Sequence, residues 1–489
     1  MRVVVVGAGV GGLAAAARLA ARGHTVTVCE QAPSVGGKLG RATFAGAVFD
    51  TGPSLLTMPH VLAETFAATG APLGDVLDLQ PVEPIAAYRY ADGTRFEASA
   101  DRDTMVTNLD AVLAPGSGAD WHALLVRAER MWRAVRGPVL ERPIDGSHDV
   151  ARLALRVRDL AAVAPHATLR GLGRRYLRDP RLRMFLDRYA TYTGSDPRRA
   201  PAALAVVPFA EQAFGAWYVS GGLHRIAAAL AERAAERGAT LHLSAPVAAV
   251  ELAGGRVAGV RLAGGRRVPA DIVVANVDAA HLYGDLVRAP AAEPARRRLR
   301  RSTPSLSGFV VLLALQGRTP GMAHHTVLFP ADYDAEFDAL FGSDPRPVAD
   351  PTLYVAAPRD PTVTPEGGEA WFVLANAARS DQVDWDAPGR TDAYAERLVE
   401  LLAARGLDVR DRIIARRVIS PADLARRTRA PGGAIYGASS SGARAAFLRP
   451  ANRSPVPGLF LVGGSSHPGG GLPLVLLSAR IVDGLVGPA

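Results

Sequence analysis

Val3-Val4-Val5-Val6-Gly7-Ala8-Gly9-Val10-Gly11-Gly12, close to the start of the 489-residue chain, is the stretch that decides the fold. Its four valines are typical of a buried parallel strand, and the alanine- and leucine-rich residues that follow to about Arg22 predict a helix. Between them, the spacing G-x-G-x-x-G allows a tight turn, lets the backbone approach a pyrophosphate and lets the helix pack closely on the strand. The helix would then direct its positive N-terminal dipole at the phosphates.

A second predicted strand, Val26–Cys29, is followed directly by Glu30. The Glu30 carboxylate can accept hydrogen bonds from both hydroxyls of a ribose, whereas it would repel the 2′-phosphate of NADP. The order and spacing of the first strand, the helix, the second strand and Glu30 match those of a Rossmann-type unit. We therefore predict that this segment binds a dinucleotide, and the predicted ligands are Gly7, Gly9, Gly11, Gly12 and Glu30.

A second glycine-rich element, Gly36-Gly37-Lys38-Leu39-Gly40-Arg41, begins six residues after Glu30. A glycine pair beside a cation extends the anion-binding surface towards a second phosphate, which favours FAD over NAD. Phe49–Ser54 and Gly463–Pro473 supply more backbone that can approach a cofactor closely, and a predicted helix from about Leu474 to Leu485 directs its dipole at a reduced flavin. The further predicted FAD ligands are Gly37, Lys38, Gly52, Pro53, Ser54, Gly463, Gly464, Gly471 and Leu472.

Composition and charge narrow the functional classes. The 56 basic and 47 acidic residues give a net charge of +9. A positive surface can bind nucleic acid, anionic lipid or an acidic substrate. Only 6% of the residues are aromatic, so few side chains are available to stack on bases, and no nucleic-acid partner is predicted. The single cysteine, Cys29, excludes an internal disulfide and a cysteine zinc site, and indicates a reducing compartment. The adjacent His324 and His325 are expected to be loop residues whose side chains point apart, so no metal site is predicted.

The motifs above, together with Trp217-Tyr218-Val219-Ser220-Gly221-Gly222-Leu223, resemble those of the bacterial phytoene-desaturase family of FAD-dependent carotenoid desaturases. The resemblance covers essentially the whole chain. Asp179–Arg183, Arg188–Tyr192 and Gly463–Gly471 are similar especially to the branch that desaturates hydroxylated or methoxylated carotenoids at C3–C4. The family implies an α/β fold of the amine-oxidase-like superfamily: a Rossmann-type FAD domain, assembled from separated stretches, with an inserted substrate domain of mixed sheet and helices.

The resemblance also implies how the chain is divided. Residues 1–95, 216–285 and 430–489 would form the FAD-binding domain, residues 96–215 a helical, membrane-associated part of the substrate domain, and residues 286–429 the substrate-domain sheet. Val247, at the start of a predicted strand, would lie beside the adenine.

A carotenoid substrate would change the interpretation of the arginine clusters within residues 170–188 and 296–301. Taken alone, either cluster has a solvated helix face as its default interpretation. A long hydrocarbon must come from a bilayer, however, and arginines can bind phospholipid headgroups while their stems and neighbouring apolar residues enter the interface. No apolar run approaches the roughly 18 residues of a membrane span. We therefore predict a cytoplasmic protein bound peripherally to the membrane surface.

The implied reaction is desaturation of an acyclic carotenoid by hydride transfer to flavin N5 with loss of a proton, and quinone or oxygen would accept the electrons. Non-covalent FAD is expected, because Cys29 and Lys38 lie only in the early nucleotide elements. No carboxylate pair or Ser/His/Asp set is evident. His467 is the candidate base or charge stabiliser, with a structural loop role as its alternative. Other functions stay open: a flavin amine oxidase, a carotenoid isomerase or oxygenase on the same scaffold, or a non-catalytic prenyl-protein carrier.

Overall fold

The computed structural model describes residues 1–146, 149, 152, 155–442 and 449–489. Its strands are β1 (Arg2–Val6), β2 (Thr25–Cys29), β3 (Arg41–Phe44), β4 (Ala47–Asp50), β5 (Leu79–Val82), β6 (Ala86–Arg89), β7 (Arg95–Ala98), β8 (Ala216–Val219), β9 (Thr240–His242), β10 (Val247–Ala253), β11 (Arg256–Leu262), β12 (Arg267–Pro269), β13 (Ile272–Ala275), β14 (Ser307–Gln316), β15 (His325–Leu328), β16 (Leu353–Ala356), β17 (Gly368–Ala377), β18 (Ile413–Ile419) and β19 (Leu459–Leu461).

The α-helices are α1 (Val10–Ala21), α2 (Pro59–Ala67), α3 (Arg102–Val112), α4 (Ser117–Val135), α5 (Val157–Val163), α6 (Leu169–Tyr176), α7 (Pro180–Thr191), α8 (Val206–Phe214), α9 (His224–Glu236), α10 (Ala279–His281), α11 (Glu293–Arg300), α12 (Tyr333–Phe341), α13 (Arg390–Ala404), α14 (Pro421–Thr428) and α15 (Leu472–Val486).

A five-stranded parallel sheet in the order β19-β13-β1-β2-β9 forms the nucleotide-binding half. Helix α1 packs against this sheet and between α9 and α15, and all of its residues but the last are buried. Its run of alanines from Ala14 to Ala17 is fully buried because small side chains let three helices and a sheet approach one another closely. The predicted strand-helix-strand unit at the start of the chain is therefore confirmed.

A seven-stranded sheet in the order β18-β14-β17-β16-β15-β6-β7 forms the second half. The predicted antiparallel sheet between residues 305 and 375 is present and larger than expected, since β6 joins β15 in parallel and brings β7 with it. Nine of the ten residues of β14 are buried, because α13 covers one face of the sheet and the β3–β4 hairpin the other. The strand β7 spans the predicted first boundary at residue 95, and β6, which lies before it, belongs to the same seven-stranded sheet. The domain boundaries stay a prediction.

Helices α4 to α8 pack on one another, and α7 reaches the β6–β7 end of the second sheet. Helix α7 begins after Asp179, whose carboxylate accepts a hydrogen bond from the N–H of Arg181, and Pro180 occupies its first turn. Phe185 then anchors the helix, with its ring centroid 4.7 Å from Tyr88 on β6 and 4.7 Å from Trp121 on α4. This packing fixes the direction of the last turn of α7. Part of the predicted helical stretch 151–199 lies outside the described residues.

The expectation that His324 and His325 are both loop residues is wrong for His325, whereas His324 does lie in the bend that precedes β15. His325 is the first residue of β15, and the two ring centroids are 4.5 Å apart. The ring of His325 is buried between the carbonyl oxygens of Ile85 and Ser54, 2.9 Å and 3.2 Å from its nitrogens. Adjacent side chains in a strand normally point to opposite faces. Here the hydrogen bonds of the His325 ring with two carbonyl oxygens set its orientation instead.

Candidate active site

A cavity of about 710 Å³ lies between the carboxyl edge of the parallel sheet and the seven-stranded sheet. Every predicted site residue except Gly12 contributes to its wall: Gly7, Gly9, Gly11, Glu30, Gly37, Lys38, Gly52, Pro53, Ser54, Val247, Gly463, Gly464, His467, Gly471 and Leu472. Ligands of open α/β sheets bind outside the carboxyl ends of the strands, so the location agrees with a nucleotide site. The individual role of each residue stays a prediction.

Gly12 serves the packing of the glycine loop. A Cβ atom at this position would lie 2.2 Å from the carbonyl oxygen of Gly7, and Gly7 itself has a φ of +96°. Asn276, directly after β13, closes the loop from the other side: with its amide oriented to satisfy both atoms, its oxygen accepts hydrogen bonds from the N–H groups of Gly9 and Gly12. The loop is thus fixed before any ligand binds.

Glu30 is held in a fixed position in the cavity wall by two backbone N–H groups. Its Oε2 accepts a hydrogen bond of 2.6 Å from the N–H of Ala8, and its Oε1 one of 2.7 Å from the N–H of Ala32. The side chain is buried but lines the cavity. Each carboxylate oxygen retains a second lone pair, so both can still accept a hydroxyl.

Lys38 is more constrained than the sequence suggested. Its Nζ donates hydrogen bonds to the carbonyl oxygens of Ala434 and Ile435, at 3.0 Å and 2.6 Å. The ammonium group therefore ties the early glycine element to the third predicted FAD segment and keeps one N–H for a ligand. Its contacts therefore do not fit a side chain that only binds phosphate.

Four polar residues of the nucleotide end escaped the sequence analysis: Asn276, Asp278, Arg427 and Arg449. Arg449 is buried and donates to the carbonyl oxygens of Tyr436, Ala438 and Gly464, and burial lowers its pKa to about 10, so it stays charged at neutral pH. Among the described residues, Asp278 Oδ2 and Arg427 Nε are buried without a hydrogen-bond partner, although both side chains line the cavity. Unpaired buried polar atoms fit a site that a polar cofactor completes. Asn276 and Asp278 could have been found as polar residues following a buried strand, whereas two arginines in an arginine-rich chain carry no signal.

The loop between β19 and α15 brings the C-terminal glycines to the first glycine loop. A Cβ atom on Gly11 would lie 3.2 Å from the Cα of Gly463, whose own φ is +108°. Helix α15 begins at Leu472, two residues earlier than predicted, after Gly471 with a φ of +100°. Its N-terminus lies at the cavity wall, where the helix dipole favours negative charge.

His467 is buried and its Nε2 lies 2.9 Å from the carbonyl oxygen of Arg142. A carbonyl can only accept, so the Nε2 carries the proton and donates it. Burial also lowers the pKa of His467, which keeps the ring neutral at pH 7. These contacts describe an anchored loop residue, and a role as base stays a prediction.

Away from the glycine elements the cavity wall is largely apolar. The lining side chains of this part come from α4, the turn at residues 136–140 that follows it, α5, α8 and the face of the seven-stranded sheet: Trp132, Val135, Val139, Leu140, Leu160, Val163, Val206, Val207, Val310, Phe372 and Leu374. An apolar chamber excludes water and gains free energy by burying hydrocarbon. In the described part of the chain, no group of three or more His, Cys, Asp or Glu residues is arranged to bind a metal ion.

The arginine clusters are only partly available to a membrane. Arg188 is buried, Arg170 is paired with Asp187 and Asp334, and Arg296 donates to backbone carbonyl groups. The prediction that these clusters as a whole face lipid is wrong for these three residues, because carboxylates and carbonyls within the fold compete for them. Among the described residues, no helix has both the length and the apolar character needed to span a bilayer.

The fold and the site together define a class. A dinucleotide-type cradle at the edge of a parallel sheet opens into a water-excluding apolar chamber, which is the arrangement of a flavin-dependent oxidoreductase. The chain belongs to the family of flavin-containing amine oxidoreductases, whose sequence profile matches residues 10–482.

Two curated relatives are similar over nearly the whole chain. The 4,4'-diapolycopene oxygenase of Methylomonas sp is 34% identical over 98% of this chain and 97% of its own length. The 1-hydroxycarotenoid 3,4-desaturase of Flavobacterium sp. (strain P99-3) is 31% identical over 99% of both chains. A solved structure of putrescine oxidase with putrescine bound has a TM-score of 0.65 and 16% identity over 99% of both chains, and it shows the shared fold alone.

Proposed function

We propose that this protein is an FAD-dependent desaturase of acyclic carotenoids. The observation that carries the proposal is the continuity of one cavity, from the Glu30 carboxylate at the nucleotide end to the apolar side chains of α4 and α5. A polyene fits an apolar chamber of this kind, and the names of the curated relatives refer to carotenoids. When bound, FAD supplies the hydride acceptor.

The residues of the chain have three tasks in this reaction. The glycine loops and Glu30 bind and orient the cofactor, and the apolar wall holds the polyene and excludes water. The N-terminus of α15 stabilises negative charge that develops beside it. No described side chain is assigned the proton, and His467, with its Nε2 used by a carbonyl, is a poor candidate.

FAD is bound without a covalent link. The single cysteine, Cys29, ends β2 immediately before Glu30, at the ribose end of the cavity, and is buried. Acid precipitation of the purified protein should therefore release all of the yellow colour into the supernatant. Flavin retained in the pellet would contradict the proposal.

Peripheral contact with a membrane is part of the proposal. Leu155 is 81% exposed and precedes α5, whose Leu160 and Val163 line the apolar part of the cavity. Arg158 and the half-exposed Arg156 lie beside it. An exposed leucine among arginines suits the interface of an anionic bilayer, and a substrate could pass from there to the chamber. Reoxidation by quinone or oxygen completes the proposed cycle.

The test uses the purified flavoprotein with carotenoids delivered in liposomes. New conjugated double bonds in the product, detected as a red shift of the absorption bands, are the expected result. Incorporation of oxygen without a new double bond would instead identify an oxygenase, and flavin reduction by amines an amine oxidase. A purified protein without flavin would favour a carrier.

A further inference from the structure

The proton that the proposed desaturation releases needs an acceptor in the cavity wall. Among the described residues, the carboxylates that line this wall are Glu30, Asp159, Glu211 and Asp278. Two of them belong to the nucleotide end, where Glu30 accepts from two backbone N–H groups and Asp278 caps α10 by accepting from the N–H of Ala280. Asp159 pairs with Arg156 at 2.5 Å. Glu211 is therefore the carboxylate of the described wall that lies outside the nucleotide elements and forms no described ion pair.

Glu211 on α8 is buried and held from one side. Its Oε1 accepts a hydrogen bond of 2.6 Å from the hydroxyl of Tyr189, whose ring packs edge-on against Phe185 with the centroids 5.4 Å apart. Among the described residues, no donor is hydrogen-bonded to Oε2, although the side chain lines the cavity. Tyr189 thus fixes one carboxylate oxygen and leaves the other for a substrate.

The groups around Glu211 control its protonation. Burial raises the pKa of Glu211, while the hydrogen bond from Tyr189 and the charge of the buried Arg188 lower it. A carboxylate in this balance is a stronger base than an exposed one and can still ionise. The titratable groups that interact with it come from α7, β6 and β16: Arg188, Tyr189, Tyr192, Tyr88 and Tyr354. Burial raises the pKa of each of these tyrosines, so of these groups only Arg188 is charged at neutral pH.

Glu211 lies where the cofactor end of the cavity meets the apolar part. The guanidinium carbon of Arg188 is 5.5 Å from the ring centroid of Tyr354, and the hydroxyl of Tyr354 is 2.7 Å from Oγ of Ser54, which belongs to a predicted FAD segment. On the other side, Val207 lies four residues before Glu211 on the same face of α8 and lines the apolar wall. A hydrocarbon in the apolar part would therefore pass Glu211 on its way to the flavin.

We propose that Oε2 of Glu211 accepts the proton that the carotenoid loses, and that Arg188 is a positioning residue that acts through Glu211. One C–H bond of the carotenoid breaks and its electron pair leaves with the hydrogen as a hydride to the flavin. The C–H bond of the neighbouring carbon gives its proton to Oε2, and its electron pair becomes the second bond of the new double bond. The carotenoid is oxidised and the flavin reduced by two electrons, and Glu211 returns the proton to water after the product leaves. The inference rests on the proposed function and names its base.

The experiment follows flavin reduction without oxygen in the FAD-loaded enzyme. Neurosporene and hydroxyneurosporene are delivered in liposomes, and the one that reduces the wild type faster is used throughout. Glu211→Gln keeps the shape of the side chain but accepts no proton, so the rate at saturating carotenoid should fall about 100- to 1000-fold. The dissociation constant of the carotenoid should change by less than about threefold. Glu211→Asp keeps a withdrawn carboxylate and should be about tenfold faster than Glu211→Gln.

Glu336→Gln is the matched control. Glu336 on α12 is also buried, but it accepts hydrogen bonds from Thr352 and Asn376 and lies outside the cavity wall, so its replacement should leave the rate of flavin reduction unchanged. Flavin content reports whether each variant folds. A loss of rate in Asp159→Asn but not in Glu211→Gln would assign the proton to the other wall carboxylate and overturn the proposal.

The pH dependence separates a base from a merely structural carboxylate. In the wild type the rate should fall as the pH drops through the pKa of Glu211, and this fall should be absent in Glu211→Gln. Arg188→Gln removes the charge that favours the ionised carboxylate, so the fall should move to higher pH by about one unit or more. A fall that keeps its position in both variants would overturn the proposal.

Infrared spectra give a measurement without turnover. The band of a protonated carboxyl group, taken as the difference between wild type and Glu211→Gln, should grow over the same pH range as the fall in rate and move with it in Arg188→Gln. A Glu211 that stays protonated or stays ionised throughout that range is not the base. If neither carotenoid reduces the wild-type flavin, the proposed function and this inference fail together. If the wild type is reduced and Glu211→Gln is reduced equally fast, this inference fails alone.

Discussion

At the nucleotide end of the cavity the wall is mostly backbone, whereas at the substrate end it is mostly side chains. Glycines from the first and third predicted FAD segments approach one another so closely that a Cβ on Gly11 would meet the Cα of Gly463 at 3.2 Å. At the other end, residues such as Trp132, Leu160 and Phe372 come from a helix, a second helix and a strand, none of which carries a motif. Backbone geometry tolerates few residue types, and apolar walls tolerate many. The two ends should therefore respond to substitution in opposite ways.

Gly12→Ala should have the largest effect. The added Cβ would lie 2.2 Å from the carbonyl oxygen of Gly7, so the helix or the loop must move, at a cost of about 3 kcal/mol. We expect the ratio of flavin to protein absorbance after gel filtration to fall at least about tenfold. Gly74→Ala, at a glycine with no atom within 4 Å of the added Cβ, is the control. Retained flavin in Gly12→Ala would show that the nucleotide end is less constrained than its geometry indicates.

Glu30→Ala should weaken FAD binding by at least about tenfold, because it removes the acceptor of the ribose hydroxyls and leaves the N–H groups of Ala8 and Ala32 unpaired. The dissociation constant of FAD, measured by fluorescence titration of the apoprotein, checks this. Glu236→Ala removes an exposed carboxylate at the end of α9 and should leave the constant unchanged. An unchanged dissociation constant of FAD in Glu30→Ala would mean that the Glu30 side chain does not contribute to nucleotide binding.

At the substrate end, Leu155→Asp should lower binding to anionic liposomes by about fivefold or more and leave the flavin content unchanged. The matched control is Ile414→Asp, since Ile414 on β18 is also an exposed apolar residue, with 52% exposure. Raising the salt concentration should release the wild type only in part, because screening acts on the arginines and not on the inserted leucine. Equal binding of both variants would mean that the membrane contact lies elsewhere.

His467→Gln should give the smallest effect. Burial lowers the pKa of His467 in the folded protein, so the unfolded chain takes up a proton first as the pH falls. The stability that the neutral ring contributes is present above its ordinary pKa and is lost on acidification. The difference in unfolding free energy between wild type and variant should shrink by about 1 kcal/mol between about pH 7 and about pH 5. A change in the pH dependence of turnover, without this change in stability, would instead assign His467 to the chemistry.

The difference between the backbone wall at the nucleotide end and the side-chain wall at the substrate end also explains which parts of the site the sequence predicts. The glycine loops, Glu30 and the parallel unit are local patterns with a strict geometric reason, and the structure brings them to one cavity. Arg427 and Arg449 belong to the same site but are recruited through tertiary contacts, so no spacing reveals them, whereas Asn276 and Asp278 carry the weak signal of polar residues that follow a buried strand. For Lys38 the sequence correctly indicates a cavity position but not the two carbonyl groups that hold it. His325 is misjudged because its ring is oriented by two buried carbonyl oxygens that come from distant parts of the chain.

The strand order of the parallel sheet has a consequence for biosynthesis. The first strand of the chain lies between β2 and β13, and β13 is completed by β19, which spans Leu459–Leu461. The nucleotide site therefore cannot close until nearly the whole chain has left the ribosome. At cellular rates of translation, roughly 20–90 s separate the synthesis of β2 from that of β19. During this interval β13 lacks β19 and α1 lacks α15, so apolar surface stays exposed on the nascent chain and capture of the flavin becomes a late step of folding.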